Sequence, residues 1–415
     1  YPLSESWPGF APGAGGSRNR TRPPIKGGMA SKSRLLILVA LLLIPSALFV
    51  GLNSDVPKFC YLHDDCLYFV SAKSMADGGG YRIASLPGEP PQTKYPPLYP
   101  LVLSLAWRLV PEFPANLTPA VWISWLALPA MLFLLGRLYP RMGFDGWKGA
   151  ALLGLLAANP FTITFSGTLL SELLFVAFLA GCLLLTEKAV GSPNGEKWAA
   201  AAGVVMGLGY LTRSAGIVSL VALPLFFLIR RRWKHAAYFA AAMLPFVAGW
   251  MTWVKLHQAS SGGDPALMYY IDYTGYQIYN VSFSDLHLLL WKNIDGLVWA
   301  FGSLAFSRIS DSLFLKILAE VIGVAMISGV IRMVRRGNGL AYGLFALGSC
   351  LLLIIWHFPP NERFVYPMFP LALAGLWTEL EHLTAMLRAG FQHQDRSQRV
   401  AAGFILTAVG LVFGA

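Results

Sequence analysis

Residues 35–52, "LLILVALLLIPSALFVGL", hold no charged side chain. A helix needs about 20 apolar residues to cross the ~30 Å hydrocarbon layer of a bilayer, so this run reads as a membrane span. Working outward, similar runs lie at 119–137, 149–167, 169–186, 199–212, 215–229, 236–254, 313–331, 340–357, 365–380 and 400–415. Of the 415 residues, 56% are hydrophobic and 13% charged, against roughly 25% charged in an ordinary soluble domain. Backbone amides inside hydrocarbon must be satisfied within their own segment, so such runs form helices. The alternating ten-residue pattern of an outer-membrane barrel is absent from the sequence. The expected fold is therefore an all-α polytopic membrane protein with about 11 transmembrane helices (10–12). The lead "MASKSR" before the first run resembles a secretory signal, but no small-x-small site follows Leu52, and the run reads as an uncleaved anchor. Residues 1–28 are rich in Pro, Gly and Arg without periodicity. They are expected to be a disordered extension preceding a single domain over 29–415.

Basic residues fix the expected orientation. With the N-terminus in the cytoplasm, Arg137, Arg141 and Lys148, "IRRRWKH" (229–235), Arg332, Arg335 and Arg336, and Arg388 all fall on the inner side. Most of the 32 Lys and Arg residues then obey the positive-inside rule, and the net charge of +11 reflects topology rather than a nucleic-acid partner. That parity requires 97–113, which contains three prolines and Arg108, to lie along the outer interface instead of crossing. Two long extracytoplasmic loops result, 53–118 and 255–312, together with the short "HFPPNERFVYP" (357–367).

The first loop contains "YLHDDCLYFVSAKSMADGGGYRI" (61–83), with Asp64 and Asp65 adjacent. Residues 64–77 read as a short amphipathic helix stopped by "ADGGG", with the acids in its first turn, where they suit the helix dipole. The plainest reading makes Asp64 an N-cap and Asp65 a first-turn acid. Cys60 and Cys66 flank the pair and either form a disulfide or remain thiols. They could also join His63 and Asp64 around zinc, which would consume Asp64 as a ligand. Other charges border apolar runs on the same side: Lys94, Glu172, Arg213 and Arg363. Such groups are costly near hydrocarbon and need partners or a role. Together they suit phosphate binding beside a carboxylate base.

The strings "DDCLY" (64–68, ending in Tyr68), "KYPPLYP" (94–100, with Tyr95), "LLSE" (169–172), "LTR" (211–213) and "ERFVYP" (362–367, with Tyr366) occur in this order. They resemble the GT-C glycosyltransferases, specifically bacterial protein mannosyltransferase-like and aminoarabinose transferase-like members, over about residues 30 to 375. The resemblance implies that Asp64 is the catalytic base and that Asp65 orients the acceptor or helps hold a metal. It implies that Lys94 and Arg213 contact a lipid-linked phosphate, with Arg363 at a less uniform position. Glu172 matches the acid of the second outer loop, and Tyr68, Tyr95 and Tyr366 support the site. The implied donor is a polyprenyl-phosphate sugar, and the acceptor a hydroxyl on a lipid, glycan or protein. Many members carry a further C-terminal part. This chain stops at "GLVFGA" inside an apolar run, so that part is absent or the sequence is truncated.

The chemistry fits that assignment. The glycines of "DGGG" lack the Lys-Ser/Thr and preceding strand of a phosphate loop. A base would deprotonate the acceptor, and cations would stabilise the departing lipid phosphate. A single displacement inverts the anomeric centre. A divalent cation, Mg²⁺ or Mn²⁺, could bridge Asp64, Asp65 or Glu172 to the phosphate. Tyr269, Tyr270, Tyr273, Tyr276 and Tyr279 in "YYIDYTGYQIY" suit an interfacial belt or a flap over the sugar, and His357 reads as structural. The competing function is a secondary transporter or lipid flippase, which calls for polar or broken spans near the midplane. The expected location is the plasma (inner) membrane, with the site on its outer face.

Overall fold

The computed structural model describes residues 32–53, 59–60, 62–259, 262, 264–279, 281, 283–305 and 312–392. Among them the chain is helical throughout its ordered elements, and the only β-feature is an isolated bridge between Arg82 and Pro91. The helices are α1 (Lys32–Leu42), α2 (Ile44–Leu52), α3 (Asp64–Ala76), α4 (Leu98–Leu109), α5 (Leu117–Trp125), α6 (Ala127–Leu138) and α7 (Trp147–Ala158). There follow α8 (Pro160–Ser166), α9 (Glu172–Gly191), α10 (Gly195–Thr212), α11 (Ser219–Ile229), α12 (Trp233–His257), α13 (Pro265–Ile271) and α14 (Tyr273–Tyr279). The last five are α15 (Leu286–Ser303), α16 (Leu313–Arg335), α17 (Leu340–Ile354), α18 (Glu362–Val365) and α19 (Phe369–Gln392).

Among the described residues, five helical stretches are long and apolar enough to cross a bilayer: Lys32–Leu52, Leu117–Met142, Glu172–Gly191, Trp233–His257 and Leu313–Arg335. The pair α7–α8 makes a sixth when counted as one span bent by 60°. The full count of eleven is not reached on these criteria. At 1.5 Å per residue, α11 and α17 fall short of the hydrocarbon thickness. The first turn of α10 carries Glu196, followed by Lys197. The expected run 400–415 and the extension 1–28 lie outside the described residues. The bend follows from sequence: Asn159 accepts from the amides of Phe161 and Thr162, and Pro160 at the first helical position restarts the helix in a new direction. The 97–113 segment forms only the twelve-residue α4, too short to cross.

The main core joins α6, α7, α9, α10, α12, α15, α16, α17 and α19. The closest helix approaches use glycine. A methyl group at Gly329 of α16 would strike the Gly375 carbonyl of α19, and one at Gly323 would strike the Val298 carbonyl of α15. Small residues at helix crossings let backbones meet where no hydrophobic force drives the association. A second, smaller core lies under the first loop, where α3 packs on α4 and α4 on α5 through Tyr68, Phe69, Tyr99, Leu103 and Trp107. The Trp107 indole donates to the Phe69 carbonyl at 3.0 Å, locking α3 onto α4.

Candidate active site

The start of α3, the start of α9, the end of α10 and the short α18 converge at one end of the bundle. Asp64 opens α3. The residue before it, His63, has φ of +64°, and Cys60 has φ of +62°. Side-chain-bearing residues at such angles cost about 1–3 kcal/mol each and persist only where the surroundings hold them. Here the Cys60–Cys66 disulfide closes the loop, with its Cα atoms 4.8 Å apart, and His63 Nε2 lies 3.1 Å from the Tyr270 hydroxyl. The disulfide removes both thiolates from any zinc site.

The two acids separate in role. Asp65 is fully buried, and its Oδ1 accepts from the amides of Leu62 at 3.3 Å and Cys66 at 3.1 Å. It tethers the loop to the helix. Asp64 is not the N-cap, since that position is His63. Its Oδ1 accepts a short hydrogen bond from the Tyr95 hydroxyl, and its Oδ2 lies 2.7 Å from Arg363 Nη2. Burial alone would raise the Asp64 pKa. Arg363 first, then the Tyr95 hydrogen bond, Lys94 and Arg213 outweigh it and hold the carboxyl below its ordinary value.

A chain of buried charge continues from there. Arg363 Nε donates to Glu172 Oε1, and Arg213 Nη1 reaches the same oxygen at 2.8 Å. Glu172 is wholly buried at the first turn of α9, where the helix dipole favours a carboxylate. Burial would lower the Arg363 pKa, but Glu172 and Asp64 raise it well above its usual value. Arg213 also donates to Ser171 Oγ at 3.4 Å, and that hydroxyl lies 3.3 Å from the Tyr68 hydroxyl. The Arg363–Asp64 contact is an ion pair without hydrogen-bond alignment, because Nη2 makes no directed bond.

Lys94 differs from the arginines. It is 9% exposed, and its Nζ makes no hydrogen bond. It sits 3.1 Å from the ring centre of Tyr269, 4.6 Å from Tyr273 and 5.1 Å from Tyr95. Cation–π contact replaces only part of the lost hydration. Burial therefore lowers its pKa to about 7, although Asp64 opposes the shift. Helices α13 and α14 supply the two capping tyrosines, and the Thr93 hydroxyl fixes the segment by donating to the Ile271 carbonyl at 2.9 Å. His357 faces Tyr273 and Tyr276 and accepts no proton readily, since burial brings its pKa to about 4.

Asp64, Lys94, Tyr95, Glu172, Arg213, Arg363 and Tyr68 are thus brought together. Tyr366 lies behind the group, its hydroxyl 2.8 Å from that of Thr162. Ser171 and Gln92 were not anticipated. Gln92 Oε1 accepts from the Lys94 amide at 2.9 Å and so shapes the approach of Lys94; a polar residue two positions before the lysine was the available signal. Asp64 and Glu172 Oε1 face arginines and Asp65 Oδ1 accepts from backbone amides, while Glu172 Oε2 makes no hydrogen bond. Among the described residues, no three His, Cys, Asp or Glu side chains gather as ligands.

Comparison with known proteins then places the architecture. Residues 94–254 match the family model of dolichyl-phosphate-mannose-protein mannosyltransferases. The fold resembles the crystal structure of ArnT from Cupriavidus metallidurans bound to undecaprenyl phosphate. The TM-score is 0.53 at 17% identity, over 93% of this chain and 71% of that one. This chain has the GT-C glycosyltransferase fold. A second GT-C protein, the Archaeoglobus fulgidus oligosaccharyltransferase tethered with an acceptor peptide, aligns with a TM-score of 0.50 and 13% identity. That alignment covers 91% of this chain and 53% of the other. No curated protein matches the sequence.

Proposed function

We propose that this protein is a membrane glycosyltransferase that moves a sugar from a polyprenyl-phosphate donor to an acceptor hydroxyl at the extracytoplasmic face, with inversion. The observation that carries the reading is the buried chain Asp64–Arg363–Glu172–Arg213 beside the unbonded ammonium of Lys94. Three cations and two carboxylates in one connected group leave room for one more negative charge, that of a phosphodiester. Asp64 takes the acceptor proton as the acceptor oxygen attacks the anomeric carbon. The bond from that carbon to the phosphate oxygen breaks, and its electron pair leaves with the lipid phosphate. Lys94, Arg213 and Arg363 stabilise the growing charge on that group. Holding donor and acceptor in line removes much of the remaining barrier. Asp65 acts by fixing the α3 loop that carries Asp64. The chain's own residues supply base and phosphate site, and no step is routed through a metal. The family match and fold support this reading over transport.

The test is transfer of radiolabel from polyprenyl-phosphate sugars to a membrane-extract acceptor pool by protein in lipid. Wild type should give a labelled product, and Asp64→Asn should lose transfer by about 100-fold or more, the scale of a lost general base. Equal transfer by the two proteins would remove Asp64 from catalysis. Absence of transfer from every donor would turn the reading toward transport.

A further inference from the structure

Both oxygens of Asp64 are occupied in a site built to receive an anion. Tyr95 holds Oδ1 and Arg363 covers Oδ2. A carboxylate so engaged is a weak base. The two contacts are unlike. The Tyr95 hydroxyl makes a directed hydrogen bond, whereas Arg363 Nη2 makes an ion pair without hydrogen-bond alignment. Arg363 itself is anchored through Nε, which is bonded to Glu172. Its backbone is fixed as well. Asn361 caps α18 by accepting from the Arg363 and Phe364 amides, and Ser303 Oγ donates to Glu362 Oε1 at 2.9 Å. The guanidinium can therefore turn about its Glu172 anchor without moving the chain.

We propose that Arg363 guards Asp64 until a donor arrives: it covers the carboxylate while the phosphate site is empty, and turns onto the donor phosphate when that site fills. The inference rests on the transferase reading and specifies how one of its residues acts. A phosphate offers Arg363 a bidentate partner that its unaligned contact with Asp64 does not. Departure of Arg363 removes the strongest force holding Asp64 ionised, and the phosphate adds a like charge nearby. Asp64 then becomes a stronger base only when a sugar is in place to be attacked. The reaction becomes ordered, donor before acceptor activation. An acceptor or water meeting the empty site finds no free base.

The charged and titratable groups that bear on Asp64 are Tyr68 of α3, Lys94 and Tyr95 before α4, Glu172 of α9 and Arg213 after α10. Tyr269 and Tyr273 of α13 and α14, and Arg363 of α18, complete the set. Of these, Lys94 titrates nearest neutrality, at about 7. At about pH 5.5 it is already protonated, so proton uptake on binding there reports on groups still deprotonated, the carboxylates and His357 at about 4, and comparison with Asp64→Asn isolates the share of Asp64.

The experiment is calorimetric titration of the full chain in lipid nanodiscs with undecaprenyl methyl phosphate. This diester keeps one charge and has no sugar to transfer. Runs at about pH 5.5 in two buffers of different ionisation enthalpy give the protons taken up per ligand bound. Wild type should take up protons on binding. Asp64→Asn should bind without that uptake. Arg363→Gln, checked for a folded profile by size exclusion, should bind more weakly and also lose the uptake, because its Asp64 is unguarded beforehand. Equal uptake by wild type and Asp64→Asn would overturn the proposal, as would binding by wild type without any uptake; both results leave the transferase reading standing. Failure of wild type to bind the diester at all would remove that reading and this one together.

Discussion

Lys94 is the residue whose state changes most easily near neutrality. Its folded pKa of about 7 lies below the ordinary lysine value because burial penalises the ammonium. A phosphate beside it would restore the charge, so donor binding above pH 7 takes up a proton and weakens as pH rises. We expect affinity for a polyprenyl phosphodiester to fall roughly tenfold per pH unit at most above that value, and Lys94→Arg to flatten the dependence. A binding series across neutrality checks this; equal slopes in both proteins would contradict it. Asp64 has the opposite linkage. Its folded pKa is lowered, so the stability it contributes is present above the unfolded carboxylate value and is lost as pH falls through the folded one. Wild type should therefore lose more melting temperature than Asp64→Asn on acidification below about pH 4. At this scale the sequence offered a set of charged residues that the fold brings together, but not how they pair. Arg363, the cation with the least specific signal, contacts the base directly, while Asp65 faces inward. Neighbours in sequence diverge by about 100° on a helix, and spacing alone does not say which of two acids meets a guanidinium nearly three hundred positions away.

Helices α16 and α19 meet through Gly329 and Gly375, where an added methyl has no space. Gly329→Ala should lower the stability of the protein in detergent by about 1–3 kcal/mol through forced separation of the helices. A thermal unfolding series read by size exclusion measures it, and an unchanged midpoint would show that the helices slide freely. Periodicity and length made several elements legible: the helix from 64, the short helix within 97–113 and five of the long spans. The break between α7 and α8 was missed because both halves are apolar and hydropathy averages across Asn159 and Pro160. That pair was itself the signal, a capping residue followed by the residue most at home in a first turn. The tyrosine segment α13–α14 read first as an interfacial belt and second as a flap, since aromatic spacing does not encode what the rings cover. Lys94, far away in sequence, decides its placement.

The bundle sorts its charges by end. Asp64, Glu172, Arg213 and Arg363 gather where α9 begins and α10 finishes. The bidentate pair of Arg332 with Glu379 and the contact of Lys148 with Glu381 lie toward the opposite ends of their helices. With the positive-inside rule, we expect this arrangement to put the ion chain on the extracytoplasmic side. Alkaline phosphatase fused after Gly80 should be active and one fused after Arg232 inactive; the reverse pattern would invert the protein. That sidedness gives the Cys60–Cys66 bridge a further meaning. The bridge can close only after the first loop has left the reducing cytoplasm. On that orientation, insertion into the membrane and acquisition of a shaped site would be separate events in the life of the chain. Molecules made in cells without an exported thiol oxidase should be full-length, correctly inserted and slow to become competent, so that the envelope's oxidising capacity sets when each new copy begins to work.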